Sequence, residues 1–354
     1  MSEENLSRRT AVEVAFDGVD ITKTLRPYLL SFRYTDNEED EADDLQLTLQ
    51  DREGLWQEKW IAPMIQACGT EGALKMQAVL VQQNPKGGGK DRILDCGEFE
   101  LDTLKAGGPP SVVELKATSL PYSNRVRQTE KSRAWENYSL SGIAREIAGE
   151  NGMGCMFEAA QDPSYSRVEQ FMESDIALLS RLCQNGGISL KATNNLLVFF
   201  DQAAYEEKPP VSKIEKGGGY LDYDFSVGTA DVKYTSCRVS YTDPITGRCI
   251  EGTAQVEDYR EDGKDNQQLE ITAKVQSPGE AQALAKKRLR LHNKYAKTAR
   301  FTLPGNPALL AGVTVELAGW GFGDGKYMIK QAIHTVGKGG YTTRVALRRV
   351  LEGY

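Results

Sequence analysis

Histidine is almost missing: His292 and His334 are the only two in 354 residues. With no HExxH pair and no Cys/His ligand spacing, histidine-based nucleophilic catalysis and histidine-built metal sites have almost no material. Cysteine is sparse and scattered. Cys68, Cys96, Cys155, Cys183, Cys237 and Cys249 form no CxxC pair, which argues against a zinc site or a small disulfide scaffold and points to apolar thiols in a reduced compartment. No apolar run approaches the roughly 18 to 20 residues of a membrane-spanning helix, and the opening MSEENLSRRT is too polar for a secretory leader. No membrane contact is expected, and folding is expected to begin in a cytoplasm. A net charge of -7 counts against a protein whose main task is gripping nucleic acid.

Motifs that carry chemistry are also lacking. There is no GxSxG. Gly87-Gly88-Gly89-Lys90 has Asn84 where a phosphate loop needs its first glycine and Asp91 where it needs Ser or Thr. Gly321, Gly323 and Gly325 do not complete GxGxxG and sit between strands, without the helix N-terminus that would hold an anion. Carboxylate pairs for glycan hydrolysis are defined in space, and among 50 acidic residues such a pair arises by chance. The residues therefore nominate no catalytic group, no cofactor and no metal ligand.

What is present is a globular composition, 40% hydrophobic and 26% charged, on a chain too long for one ordinary core. The first third alternates: Val12, Val14 and Phe16 lead through Asp17-Gly18 to Val19 and Ile21, a hairpin pattern. Leu45, Leu47 and Leu49, then Leu74, Met76, Ala78 and Leu80, alternate likewise. Near residue 139 the period changes. Leu140, Ile143, Ala144, Ile147 and Ala148 trace a helix face capped by Ser139, and a second helix after Ser174 carries Ile176, Leu179 and Cys183 and closes at Gly186-Gly187. A hairpin from Ile188 to Phe200 follows. The last third returns to strands, interrupted by a helix that begins at the capping box Ser277-Pro278-Gly279-Glu280. The expected fold is mainly β with an α/β insert: two antiparallel β-barrel domains, residues 1–120 and 206–354, flanking a small domain of two helices and a hairpin, residues 121–205.

Three groups of residues stand out. Between Asp36 and Asp44, seven of nine positions are acidic, and the run lacks the glycine and terminal glutamate of a calcium loop. It reads as a solvated loop or, through Asp36, Glu38, Glu39 and Asp40, as the negative rim of a channel that repels phosphate. Lys286, Lys287, Arg288, Arg290, Lys294, Lys297 and Arg300 form the opposite cluster, with no acid between 286 and 300. It reads as a solvent-facing helix, as a contact to an acidic neighbouring subunit through Arg288, Arg290 and Lys294, or, least well, as a nucleic-acid patch. Trp56, Trp60, Trp135 and Trp320 read as core or interface anchors, with Trp56, Trp60 and Trp135 the interface candidates.

Four segments together resemble the phage late control protein D family, the baseplate hubs of contractile tails, related to the hub part of type VI secretion spikes. The first is Ser31-Phe32-Arg33-Tyr34-Thr35-Asp36 with Ala42-Asp43-Asp44-Leu45 and Asp51-Arg52-Glu53-Gly54-Leu55-Trp56. The second is Ser132-Arg133-Ala134-Trp135-Glu136 running into Leu140-Ser141-Gly142-Ile143-Ala144, and the third is the stretch from Gln170 to Leu182. The last runs from Leu310-Ala311-Gly312-Val313 through Gly325-Lys326-Tyr327 to His334 and Gly340-Tyr341-Thr342-Thr343.

The resemblance implies a homotrimer in which each chain supplies two tube-like barrels, so that six similar units meet a six-fold tail tube above a three-fold spike. It carries no catalytic set. The implied partners are tail tube protein, tape-measure protein, a spike or tip protein and other baseplate subunits, with DNA or effector only in passage. Assembly is expected in a bacterial cytoplasm and the product in a virion or tail-like particle. Because Tyr354 follows the last strand closely, spike and lysozyme functions are expected on separate proteins. The competing expectations are a peptidoglycan-binding, LysM-like role for the insert and a tail-associated cell-wall hydrolase.

Overall fold

The computed structural model describes residues 7–39, 41–61, 74–85, 90–119, 126, 129–193, 195–228, 234–244, 246–257, 259 and 266–351. The Gly87–Gly89 loop and Cys68 lie outside them.

The opening part contains β1 (Arg9–Phe16), β2 (Val19–Asp20), α1 (Thr22–Leu25), β3 (Leu29–Asn37), β4 (Asp44–Gln50), a π-helical turn (Leu55–Ile61), β5 (Lys75–Gln83), β6 (Arg92–Gly107) and β7 (Val112–Thr118). Along β4, Leu45, Leu47 and Leu49 face a core that also takes in Phe32, Trp56, Met76, Phe99 and Leu115, while the intervening polar residues stay outside. The expected β1–β2 hairpin is short, with only Ala15 and Phe16 paired to it. The main partner of β1 is β5, along its whole length.

The insert follows: β8 (Glu130–Ser139), α2 (Leu140–Glu150), β9 (Gly154–Phe157), β10 (Ser164–Ser174), α3 (Asp175–Gly186), β11 (Ser189–Thr193), β12 (Leu196–Phe200) and α4 (Gln202–Glu206). Both helices start as their sequence indicates. Ser139 Oγ accepts from Gly142 N–H and Ser174 Oγ from Ala177 N–H. Gly187 ends α3 at φ 67°, and a Cβ there would sit 2.6 Å from the Lys287 side chain, so glycine is demanded twice.

The closing part contains β13 (Ser212–Glu215), β14 (Asp222–Val227), β15 (Ser236–Thr242), β16 (Cys249–Gln255), β17 (Gln268–Thr272), α5 (Pro278–Asn293), β18 (Lys297–Pro304), β19 (Thr314–Ala318), β20 (Gly325–Gly337) and β21 (Gly340–Arg349). At the start of α5, Ser277 Oγ accepts from Glu280 N–H while Glu280 Oε2 accepts from Gln276 N–H. This helix packs its Ala281, Ala285 and Leu289 onto Cys237 and Val239 of β15, forming a core of its own beside the core of Phe301, Trp320, Tyr327 and Leu347 under the large sheet.

The order β, α/β, β is the one the patterning indicated. What alternation does not reach is that one 13-stranded sheet joins the two β parts, because β3 pairs antiparallel with β20 from Ser31↔Gly337 to Asn37↔Gln331. On either side of that seam the same arrangement recurs. In the opening part the antiparallel pairs β3–β4 and β6–β7 lie in the order β3-β4-β7-β6. In the closing part β14–β18 and β20–β21 lie in the order β14-β18-β21-β20. Even the irregularities correspond, since β6 slips its register against β7 between Leu101 and Thr103, and β20 slips against β21 between Ile329 and Gln331.

Gly252 of β16 lies so close to α5 that a Cβ would come within 2.3 Å of Gln282 N. Gly252→Ala is expected to lower stability by about 1–3 kcal/mol through overpacking, measurable as a lowered urea midpoint at unchanged slope.

Candidate functional site

The acidic run and the basic cluster, separate in sequence, meet in space. Asp36, Glu38, Glu39 and Asp43 leave the β3–β4 connection and are buried where the opening part, the insert and the closing part touch. Arg348 of β21, 1% exposed, grips Glu38 with two nearly parallel bonds, Nη2–Oε1 at 2.5 Å and Nε–Oε2 at 3.0 Å. Its Nη1 donates to Glu206 Oε1 of α4 at 2.5 Å, and Glu206 also accepts from Arg290 of α5. One residue along, Glu39 accepts from Lys294 and, at 2.6 Å, from Ser189 Oγ of β11. Lys191 reaches Asp36 Oδ1 at 2.6 Å and lies 3.5 Å from Asp43, which also accepts from Thr193 Oγ1 and Asn37 N–H.

These contacts correct the readings made from charge alone. Asp36, Glu38, Glu39 and Asp43 are buried and paired within the chain, which removes Asp36, Glu38 and Glu39 as exposed rim charges; Glu41 alone of the described run is exposed, and Asp40 lies outside the described residues. Arg290 and Lys294 find their acids in their own chain, and Arg288 donates to Gln184 O. Of the tryptophans, Trp56 is buried in the opening core, 5.9 Å edge-on from Tyr28, and Trp135 is buried in the insert with Nε1 donating to Glu146 Oε1 at 3.0 Å. Both are core anchors. Trp60 packs on Trp56 and stays partly exposed. Cys96, Cys183 and Cys237 are buried thiols as expected, whereas Cys249 is exposed. Arg348, Glu206 and Lys191 were not nominated from sequence, because a single charged residue in a strand, a short helix or a hairpin carries no local sign of burial.

The sheet's solvent face has a chemistry of its own. Across its strands stand Asp224, Arg300, Arg344, Gln331, Arg33, Gln46, Lys116 and Lys105, with serines and threonines between them. Acids stand among these bases: register sets Asp224 opposite Arg300 and Glu114 opposite Lys105, and Asp222 and Asp44 lie on the same face. An open hollow of about 710 Å³ over Arg300, Gln331, Ile333 and Arg344 is bordered by Glu39 and Tyr295 of the junction. Among the described residues no three His, Cys, Asp or Glu gather as a metal site, and no helix is long and apolar enough to cross a membrane.

The model of the phage tail baseplate hub family (GPD) matches residues 114–340. The chain belongs to that family. It is 29% identical to the probable baseplate hub protein of Escherichia phage P2 over 189 residues, which are 52% of this chain and 43% of that protein. It is 22% identical to the probable baseplate hub protein of phage 186, again over less than half (44%) of the relative's length. Its fold resembles the 43 kDa tail protein of prophage MuSo2 from Shewanella oneidensis, with TM-score 0.67, 14% identity, and 96% and 98% of the two chains covered. A tail protein from Neisseria meningitidis gives 0.68, 11%, 96% and 96%. A type VI secretion component from Escherichia coli gives 0.57, 12%, 96% and 78%.

Within this hub chain, burial sets the titration of the junction. Burial pushes the Glu39 carboxyl up, but Lys294 and the hydrogen bonds of Lys294 and Ser189 outweigh it, and the group ends below its ordinary range. For Asp43, burial and the nearby Asp36 prevail over Lys191, and its pKa rises to about 6. His334, beneath the β3–β20 seam, is driven by burial to about 4. Its Nε2 faces Leu309 O at 3.0 Å, which only accepts, so Nε2 holds the proton of a neutral ring and Nδ1 accepts from Tyr341 Oη at 2.8 Å.

Two outcomes are expected. Arg348→Met should cost about 3–5 kcal/mol, because Glu38 is left buried and unpaired. Adding Glu38→Leu should recover much of it, since Glu206 keeps Arg290; chemical denaturation of both variants reads this. Separately, a histidine lowered from 6.5 to about 4 binds its proton only when unfolded across that window. Its contribution is intact above pH 6.5 and falls as pH drops toward 4. His334→Gln lacks this loss, so its stability deficit relative to the parent should shrink on acidification by up to about 1.4 kcal/mol per pH unit.

Proposed function

We propose that the chain is a structural baseplate hub of a contractile phage tail or tail-like particle. It forms a trimeric ring that adapts a six-fold tail tube to a three-fold spike and lines the central channel. The observation that carries this reading is the recurrence of one strand order, β3-β4-β7-β6 and β14-β18-β21-β20, on the two sides of the β3–β20 seam. Two near-equivalent wall segments per chain become six in a trimer, which is what a three-fold body needs in order to seat on a six-fold one.

The polar sheet face supports a lining role. Its charges are balanced and its remaining groups are short hydroxyls and amides, a surface to which neither a polyanion nor an unfolded chain adheres strongly. In this reading residues 1–120 and 206–354 are the two wall domains and residues 121–205 an outward insert held to the first through Ser189 and Lys191 and to the second through Asp201, which accepts from Lys287. The role is assembly and not catalysis. Tail tube, tape-measure, spike or tip and other baseplate proteins are its neighbours, with DNA or effector in transit.

Native mass measurement of the purified chain, alone and co-produced with its neighbours, tests the ring. A species of three times the 39.1 kDa chain mass is expected. A monomer under every condition would overturn the reading.

A further inference from the structure

The ring reading leaves open which surfaces of successive copies meet, and the strand repeat answers it. At the internal seam, the last strand of one repeat (β20) pairs with the first strand of the other (β3). The corresponding strands at the two ends of the wall are β6 and β14. Among the described residues, β14 has a partner on one side only, β18. Among the described residues, the strand β6 is covered by β5 and Leu74 as far as Leu101, and past its bulge the stretch from Thr103 to Gly107 pairs with β7 alone. In the closing part, β20 is likewise covered by β19 before its bulge and by β3 after it. The distal half of β6 therefore lacks the neighbour that the distal half of β20 has.

The side chains agree. Under the internal seam, Phe32 and Tyr34 of β3 are 0% and 6% exposed, and Tyr34 stacks on His334. Their counterparts on β14, found by matching rows across the sheet, are Tyr223 and Phe225. Tyr223 is 45% exposed, Val227 45%, and Phe322, which packs on Phe225, 66%. Apolar residues that the internal seam covers are left bare at the end of the wall. Charge agrees too, with Asp222 and Asp224 on the outer strand of one end and Lys105 on that of the other.

We propose, resting on the ring reading, that β14 of one copy adds antiparallel to the distal half of β6 of the next, head to tail. Aligning the two bulges transfers the internal register Ala332↔Asp36, Ile333↔Thr35 and His334↔Tyr34 to Leu104↔Val227, Lys105↔Ser226 and Ala106↔Phe225. Leu104, Val227 and Phe225 then close the apolar layer, and Lys105 stands beside Ser226 and near Asp224 on the polar face. The contact is heterologous, so its closure after three copies gives a ring without free strand edges.

Lys105→Cys combined with Ser226→Cys in the full chain tests this register, because residues directly opposite in a strand pair have Cβ atoms roughly 4.5–5.5 Å apart, near disulfide reach. Mild oxidation is expected to give covalent trimers, while Lys105→Cys with Asp222→Cys, offset by roughly 13 Å along the strand, gives none. Trimers by native mass that do not cross-link through Lys105→Cys and Ser226→Cys, or that cross-link equally through the offset pair, overturn the edge assignment and leave the ring intact. Absence of any trimer from the unmodified chain and its neighbours overturns both.

Discussion

The guanidinium of Arg348 has left water almost completely, and the molecule has to be built around that fact. Desolvating such a cation costs several kcal/mol, and only closely fitted anions return it. Two arrive from different places, Glu38 from the β3–β4 connection and Glu206 from the short helix that ends the insert. Because the guanidinium is a flat fork, it accepts the Glu38 carboxylate in one plane and one direction. The pairing therefore fixes orientation: the insert cannot turn relative to either half of the shared sheet without stranding a charge. Lys294–Glu39 and Lys191–Asp36 repeat the device on either side.

Around this junction the apolar cores form distinct clusters that touch at their margins, where Leu310, Val336 and Tyr341 of the closing part pack against the opening core. The opening part, the insert, the closing part and the α5 layer each have a cluster of buried side chains. Hydrophobic burial is strong but non-directional, so it stabilises the parts without dictating their angles. Angles come from the shared sheet and the ionic junction. Orientation is thereby assigned to hydrogen-bonded strands and fitted ion pairs, which are directional where apolar contact is not.

Much of the fold was legible because its signals are local. Leu45, Leu47 and Leu49 announce a half-buried strand, and Ser139, Ser174 and Ser277 announce helix starts, all within a few residues of the structure they produce. The junction was not legible, since Arg348 and Glu38 are 310 positions apart and nothing near either residue says that it is buried. Sequence drew attention to the acidic run and the basic cluster as two surfaces, when each neutralises part of the other. Charge runs are usually solvated, and that expectation failed for Asp36, Glu38, Glu39 and Asp43 because partners from β11, β21 and the end of α5 converge on them. The strand repeat was hidden for a related reason: the closing copy is interrupted between β14 and β18 by β15, β16, β17 and α5, so the two halves differ in length and spacing while keeping one order.

The pairing of β3 with β20 also imposes a timetable on biosynthesis. A ribosome releases β3 early, yet the strand that covers it emerges some three hundred residues later. For most of translation the opening barrel carries a naked backbone edge capped by nothing of its own. Neighbouring nascent chains on one messenger would present the same edge and, soon after, its complement, so exchange of the terminal hairpin between siblings competes with correct closure. Slow, long-range strand capture is thus the part of folding that such exchange would compete with.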